Sequence, residues 1–389
     1  MEREIILTSD GALPDDLVVE TLLRLPVKSL LRFRSVCRSW YGLVKNSNFI
    51  YKHLKKDDNI RAMIRCTYYD DTDEYDELKS YFSLVPDKTL RDLSFENLDP
   101  KIPGIRIGPY DGIFCLFNNP RRITLWNVTT NEFRVLPKCR AHLPCYTTVH
   151  YSNFGFGLDP IADDYKLVII LTLWHEKRRE FYDFSHVTVY TFSTNSWRDL
   201  KGFEMRHDYM YDRIDNVYLN GFCYWLVLRT DYHKAILSFD MNGEMFEEIQ
   251  GPNIPEREDI FESSLIPWTL GIYEDSLGLL YSDKYAHSFD LWMMKGGSWI
   301  KYLTFGPFIE TYQPIGYWRK GEFFLQSNNK RLILYNSEIK EMRDLGITGL
   351  WFSVHILKES LIPIKGEDVL VDLFDIPWNI LGITDSILS

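Results

Sequence analysis

Residues 121–137 read RRITLWNVTTNEFRVLP, and an altered form of this phrase returns four times. The copies are VTVYTFSTNSWRDL at 187–200, AILSFDMNGEMFEEIQGP at 235–252, FDLWMMKGGSWIKYLTFGP at 289–307 and RLILYNSEIKEMRDLGI at 331–347. Each is an apolar strand, a polar turn and a second strand opening on an aromatic or aliphatic residue. The turns, TN at 130–131, TN at 194–195, NG at 242–243, GG at 296–297 and NS at 336–337, use residues that tolerate tight hairpin geometry. Aligned on Trp126, Tyr190, Phe239, Trp292 and Tyr335, the copies lie 64, 49, 53 and 43 residues apart. Ahead of each stands another expected hairpin: DGIFCLFN (111–118), DDYKLVII (163–170), NGFCYWLV (220–227), SLGLLYSD (276–283) and KGEFFLQS (320–327). Four strands in a repeat of this length point to a β-propeller. Five units are explicit. A sixth is expected as a composite, with WFSVHILKESLIPI at 351–364 pairing with RAMIRC and YFSLV from residues 61–98. Such sharing closes the ring and removes exposed sheet edges. A two-sheet sandwich or a partly open β fold is the alternative.

Residues 13–56, LPDDLVVETLLRLPVKSLLRFRSVCRSWYGLVKNSNFIYKHLKK, have a different period. Leu13, Leu17, Leu22 and Leu25 recur at spacings of three to five, as on the buried face of a short helix. Pro14 suits the first helical turn, Asp15 and Asp16 suit its positive end, and Pro26 stops it. A second helical run carries Leu30, Phe33, Val36, Trp40, Leu43 and Val44, interleaved with Lys28, Arg32, Arg34, Arg38 and Lys45. The block holds nine Lys or Arg against three Asp or Glu, a net of +6. So short a block builds a poor core alone and usually needs a metal, disulfides or a partner. With only Cys37 and His53 available in it, a partner is the expected solution, unless the block simply caps the rest of its own chain.

The whole chain has 389 residues and a net charge of −11. Setting aside the +6 block and the −2 of residues 1–12 leaves −15 on residues 57–389. That charge repels nucleic-acid phosphates and favours encounter with basic proteins. No run of 18 uncharged apolar residues suggests a membrane span, and the first residues lack a secretory pattern. The six cysteines, at 37, 66, 115, 139, 145 and 223, have no pairing rhythm, which suggests reduced thiols in the cytoplasm or nucleus. Cys139 and Cys145 flank His142 without zinc spacing. Gly104, Gly108 and Gly112 are not a phosphate loop. Asp163–Asp164 reads as a solvated turn, and Asn127–Val128–Thr129 as a strand-to-turn segment. No catalytic residue, metal or cofactor is expected.

Leu13–Pro14, then Leu25–Pro26–Val27–Lys28–Ser29–Leu30, then Val36–Cys37–Arg38–Ser39–Trp40 resemble the F-box of plant proteins, in order and with its gaps. The resemblance implies a three-helix module that binds a Skp-type adaptor, and through it a cullin and a RING subunit. The adaptor surface it implies comprises Leu13, Pro14, Leu17, Leu25, Pro26, Val27, Leu30, Val36, Cys37 and Trp40. Tyr110–Asp111–Gly112–Ile113, FGFGLDPIADDYKLV (154–168), SWRDL (196–200), YLNGFCYW (218–225), ILSFDMNGEMF (236–246) and LTFGP (303–307) resemble the F-box-associated domain of S-locus F-box proteins and their relatives.

The expected architecture is therefore an α+β multidomain chain. It comprises an N-terminal extension (1–12), a three-helix F-box (13–56), an all-β, kelch-like domain of about six blades (57–365) and a C-terminal tail (366–389). Family resemblance implies a non-catalytic substrate-recognition subunit of a Skp–cullin–F-box ubiquitin ligase. In the S-locus version the target is a basic, secreted pistil ribonuclease. The rivals are a propeller glycosidase, which needs convergent carboxylates in the central channel, and an F-box scaffold that acts without ubiquitination. Residues 70–80, 138–152, 174–186, 204–215 and 252–268 are the candidate target-binding loops.

Overall fold

The strand DYKLVIILTLWH shows how the larger domain is built. In the computed structural model, Leu167, Ile169 and Leu171 of this strand pack in one cluster, while Val168 and Ile170 pack in another on the opposite face. A sheet covered on both faces needs near-continuous apolar runs rather than alternation. The structure describes residues 14–55, 60–69, 78–85, 90, 96–97, 105–119, 122–139, 143–182, 184–200, 209–211, 216–229, 234–254, 268–283, 285–310, 312–319 and 321–364.

Six antiparallel sheets form six blades. Blade 1 contains β1 (Ile60–Tyr69), β2 (Leu78–Val85) and β3 (Glu96–Asn97), preceded on its inner side by β26 (Trp351–Lys358). Blade 2 is β4 (Ile105–Tyr110), β5 (Ile113–Asn119), β6 (Arg122–Asn127) and β7 (Glu132–Val135). Blade 3 is β8 (Thr147–Asp159), β9 (Asp164–His175), β10 (Glu180–Phe181), β11 (His186–Thr191) and β12 (Ser196–Asp199). Blade 4 is β13 (Tyr209–Tyr211), β14 (Val217–Leu219), β15 (Phe222–Arg229), β16 (Lys234–Asp240) and β17 (Phe246–Gln250). Blade 5 is β18 (Trp268–Tyr273), β19 (Ser276–Asp283), β20 (Ser288–Lys295) and β21 (Ser298–Phe305). Blade 6 is β22 (Tyr312–Arg319), β23 (Glu322–Ser327), β24 (Arg331–Asn336) and β25 (Glu341–Thr348).

Every neighbouring pair of blades shares its own apolar cluster, including blade 6 with blade 1 and blade 1 with blade 2. The ring is therefore closed. Closure is made by β26 pairing with β1, from Ile60 opposite Lys358 to Thr67 opposite Trp351. The expected composite blade is thus present, although its last strand stops at Lys358 and residues 359–364 are not strand.

The repeated phrase forms the last two strands of blades 2 to 6. In blades 2, 3, 4 and 6 its anchors face each other across the hairpin: Trp126 with Phe133, Tyr190 with Trp197, Phe239 with Phe246, and Tyr335 with Met342. The aromatic pairs have ring centroids 5.7, 5.1 and 4.6 Å apart. Cross-strand aromatic pairs of this kind fix sheet register. Blade 5 differs. Its Gly296–Gly297 turn places Met294 opposite Trp299, and a bulge between Leu291 and Trp292 restores the register.

That difference corrects the turn reading. Of the five turns of the repeated phrase, Gly296–Gly297 alone is a two-residue connection, both residues at positive φ. In blades 2, 3, 4 and 6 the connection runs to four or five residues, and Asn131, Asn195, Glu244 and Lys340 carry the positive φ. In blades 2 and 6 a strand-ending Asn (Asn127, Asn336) accepts N–H bonds from the residues two and three places on. In blade 4 the turn N–H of Asn242 bonds to Asp240.

Candidate adaptor-docking site

The N-terminal block forms four helices rather than three: α1 (Asp15–Leu23), α2 (Val27–Phe33), α3 (Arg38–Val44) and α4 (Ser47–Leu54). The second helical run breaks because Cys37 adopts extended backbone, and its Sγ accepts the Trp40 N–H at 3.5 Å as a cap for α3. Asn46 starts α4 in the same way, with Oδ1 accepting from Asn48 N at 2.9 Å and Phe49 N at 3.2 Å. Buried His53 reaches back from α4 and donates Nε2–H to the Leu25 carbonyl at 2.8 Å, pinning the turn between α1 and α2.

The core of this block contains Leu22, Leu23, Val27, Leu30, Val44, Phe49 and Ile50. Its floor is Leu361, with Ile362 beside it, from the segment that follows β26. Glu359 completes the junction: Oε2 accepts the Val27 N–H at 3.4 Å, and Oε1 pairs with Arg61 at 2.5 Å. Blade 2 holds the same segment. Fully buried Asn127 donates Nδ2–H to the carbonyls of Ser360 and Ile362, at 3.1 and 3.0 Å. Glu132 accepts the Ile364 N–H at 3.2 Å. Residues 359–364 are thus a strap between helices and propeller. The sequence reading took them for strand, although a Glu–Ser pair interrupting ILKESLIPI marks the break.

The ten residues expected at the adaptor surface divide by depth. Leu13 lies outside the described residues. Pro14, Leu17, Pro26, Val36 and Cys37 are exposed, Leu17 at 53% and Val36 at 62%. Leu25 and Trp40 are half-buried. Val27 and Leu30, both at 0%, lie inside and hold the helices to Leu361. Two exposed aromatics join the outer row: Phe33, edge-on to Trp40 with centroids 5.7 Å apart, and Tyr41. Both stand at helical spacing in the sequence, and Tyr41 adds to the expected apolar face, which includes Phe33. The Lys45 ammonium donates to the Tyr41 hydroxyl, and that bond and charge hold its pKa below the usual phenol range. Several large apolar side chains left in water on one small block, rimmed by Arg32, Arg34, Arg38 and Lys45, mark a surface built to be covered.

The strap also orients the molecule. Lys358 and Ile60 are opposite each other at the helix-bearing edge of blade 1, so the β4–β5 and β6–β7 turns that contact the strap share that face. The strand ends joined by segments 70–80, 138–152, 174–186, 204–215 and 252–268 all leave from the opposite face. Much of 70–80, 204–215 and 252–268 lies outside the described residues.

Among the described residues there is no group of three or more His, Cys, Asp or Glu placed to hold a metal, and no helix long and apolar enough to cross a membrane. All six cysteines are free thiols, and burial pushes Cys115 and Cys223 well above the ordinary thiol range.

Comparison with known families places both parts. Residues 12–52 match the F-box domain, and residues 85–371 match the F-box associated beta propeller domain. The chain therefore belongs to the family of F-box proteins with an F-box-associated β-propeller. It is similar to the F-box protein CPR1 of Arabidopsis thaliana, with 25% identity over 90% of this chain and 89% of that one. It is similar to F-box protein At5g49610 of the same plant, with 26% identity over 91% and 98%. Identity reaches 30% with the putative F-box protein At3g10430, of whose length the chain spans 61%.

Proposed function

We propose that this chain is the substrate receptor of a Skp–cullin–F-box ubiquitin ligase and performs no bond chemistry itself. The observation that carries this is the exposed apolar row Pro14, Leu17, Pro26, Val36 and Cys37, with Trp40 behind it, on a helical block strapped to a closed propeller. Val27 and Leu30 support it from beneath. A Skp-type adaptor bearing an acidic groove suits this apolar row and its basic rim. Through adaptor, cullin and RING subunit the receptor holds a target lysine near the charged conjugating enzyme, so its contribution is effective concentration.

The resemblance to S-locus F-box proteins supports a sharper version, in which the target is a basic pistil ribonuclease. The net of −15 on residues 57–389 favours such an encounter by long-range steering.

The test is co-purification with a Skp-type adaptor. Leu17→Asp with Val36→Asp alters two exposed side chains, so the helical circular dichroism should persist while adaptor and cullin are lost. Retained adaptor would overturn the receptor reading. Target association that does not weaken between low and physiological salt would overturn the steering argument.

A further inference from the structure

Blade 3 carries a projection that the propeller does not need. Strand β11 stops pairing with β9 at Leu171, but β9 runs on to His175, flanked by β8 on one edge and β10 on the other. Four residues beyond the blade amount to roughly 13 Å of three-stranded sheet. It rises from the face opposite the helices, where the β9–β10 turn stands.

The projection is built of aromatic side chains. Trp174 meets Phe181 and His150 with centroids 4.9 and 6.3 Å apart, and His150 meets Phe181 at 5.0 Å. Tyr182 stacks on His175 at 5.6 Å, and its hydroxyl is 2.6 Å from Thr147 Oγ1. These contacts brace the projection, whose inner face, through Leu173, Val149 and Tyr182, joins the apolar cluster between blades 2 and 3. Tyr146, 54% exposed, lies at its tip: its carbonyl accepts the Glu176 N–H at 2.9 Å, and the Lys177 ammonium is 3.4 Å from its ring centroid. The turn itself reads Glu176–Lys177–Arg178–Arg179, all exposed. Exposed Lys138 precedes it in the blade 2–3 connection. The four turn residues sum to +2, with Arg178 paired to Glu180 at 3.6 Å, on a domain of net −15.

Resting on the receptor reading above, we propose that this projection is a target-docking element and that it takes a segment of the target carrying carboxylates next to apolar side chains. Pre-ordered aromatics lose little freedom on contact and are the usual anchors of protein interfaces, with Arg and Lys supplying the polar grip. The tip's charge is opposite to the net charge of residues 57–389, so it offers an acidic segment a place of attraction on a chain that otherwise repels it.

The experiment uses the full chain bound to its adaptor. Two fluorescent probes are compared by anisotropy, the peptides Ac-Glu-Phe-Glu-Phe-Glu and Ac-Lys-Phe-Lys-Phe-Lys. The acidic peptide should bind at least tenfold more tightly. Lys177→Glu with Arg178→Glu should abolish that preference, and Tyr146→Ser should weaken both peptides. Equal binding of the two peptides, preference for the lysine peptide, or an unchanged preference in the charge-reversed variant would overturn the proposal. Adaptor binding is read in the same samples. Its loss with peptide preference intact would refute the receptor reading and leave the docking surface standing.

Discussion

The N–H of Val27, at the start of α2, donates to Glu359 Oε2 across 332 residues of sequence. The same carboxylate pairs with Arg61 at the root of β1, and its side chain is only 4% exposed. One buried charge therefore ties the F-box helices to both strands that close the ring. Glu359→Ala leaves the Arg61 guanidinium and an N–H without their acceptor, so it should cost about 3 kcal/mol, at the low end for breaking a buried pair. The loss should appear as faster amide exchange at 27–31 and a lower urea midpoint. Unchanged exchange there would mean that Leu361 and Ile362 carry the junction alone.

Gly112 guards the same junction by geometry. Its φ is +76, and a Cβ there would lie 2.6 Å from the Lys358 carbonyl oxygen and 2.8 Å from Ser360 Cβ. Neither obstacle is a flexible tip. Gly112→Ala should therefore destabilise by more than about 1 kcal/mol. Gly271, a glycine inside β18 with nothing within 4 Å of a built Cβ, is the control: Gly271→Ala should be neutral or stabilising. Equal effects of the two substitutions in thermal unfolding would refute the strap geometry.

How far the fold could be read in advance depended on which residues announce their role locally. Trp126, Tyr190, Phe239 and Tyr335 stand seven positions before their partners because the connecting turns hold that spacing, so the repeat is visible in the letters. Trp292 shares the spacing but not the pairing, since a shorter Gly–Gly turn is offset by a bulge. The break at Cys37 was hidden because a thiol is a weak cap and the apolar spacing runs through it. The outer adaptor row and its inner support have identical apolar character. Packing among all four helices and Leu361, more than 300 residues away, turns Val27 inward while Val36 faces water. Glu359 is silent for the same reason: its partners come together only when the ring closes.

Acid should loosen the boundary between blades 3 and 4 first. Lys166 lies 2.8 Å from Asp159 and 3.0 Å from Glu244, and donates to the Met241 carbonyl at 2.7 Å. Burial of Asp159 opposes its ionisation, but bonds from Lys166 and from the N–H groups of Ala162 and Ile161 prevail and hold its carboxyl below the ordinary range. At Glu244 burial again opposes, and Arg198 and Lys166 prevail. Folded pKa values below the unfolded ones give stability that is full above about pH 4 and is lost as pH falls through the folded values. Asp111 has the opposite sign. Burial raises its pKa against the Tyr165 hydroxyl bond, so its contribution is present at low pH and lost as pH rises through the folded value. Urea midpoints from pH 6 to pH 3 should fall in the wild type and fall less in Lys166→Met. An equal decline would place the acid sensitivity elsewhere.

Two truncations separate the tasks of the C-terminal region. Ending the chain at Lys358 keeps β26 and the full pairing from Ile60 to Thr67, but removes Glu359, Leu361 and Ile362. The propeller should then still unfold cooperatively, at a temperature lowered by the loss of Ile364 and of the carbonyls that hold Asn127, while the helices lose their floor and exchange freely. Ending the chain at Leu350 also removes β26. Blade 1 then loses its inner strand, and the clusters through Phe352 and Leu357 that join it to blades 6 and 2 are broken. An opened ring exposes the edge of β1, so this chain should aggregate or unfold without a sharp transition. Similar melting of the two truncated chains would mean that ring closure does not depend on β26, and the helices' dependence on the strap would then be judged from the longer chain alone.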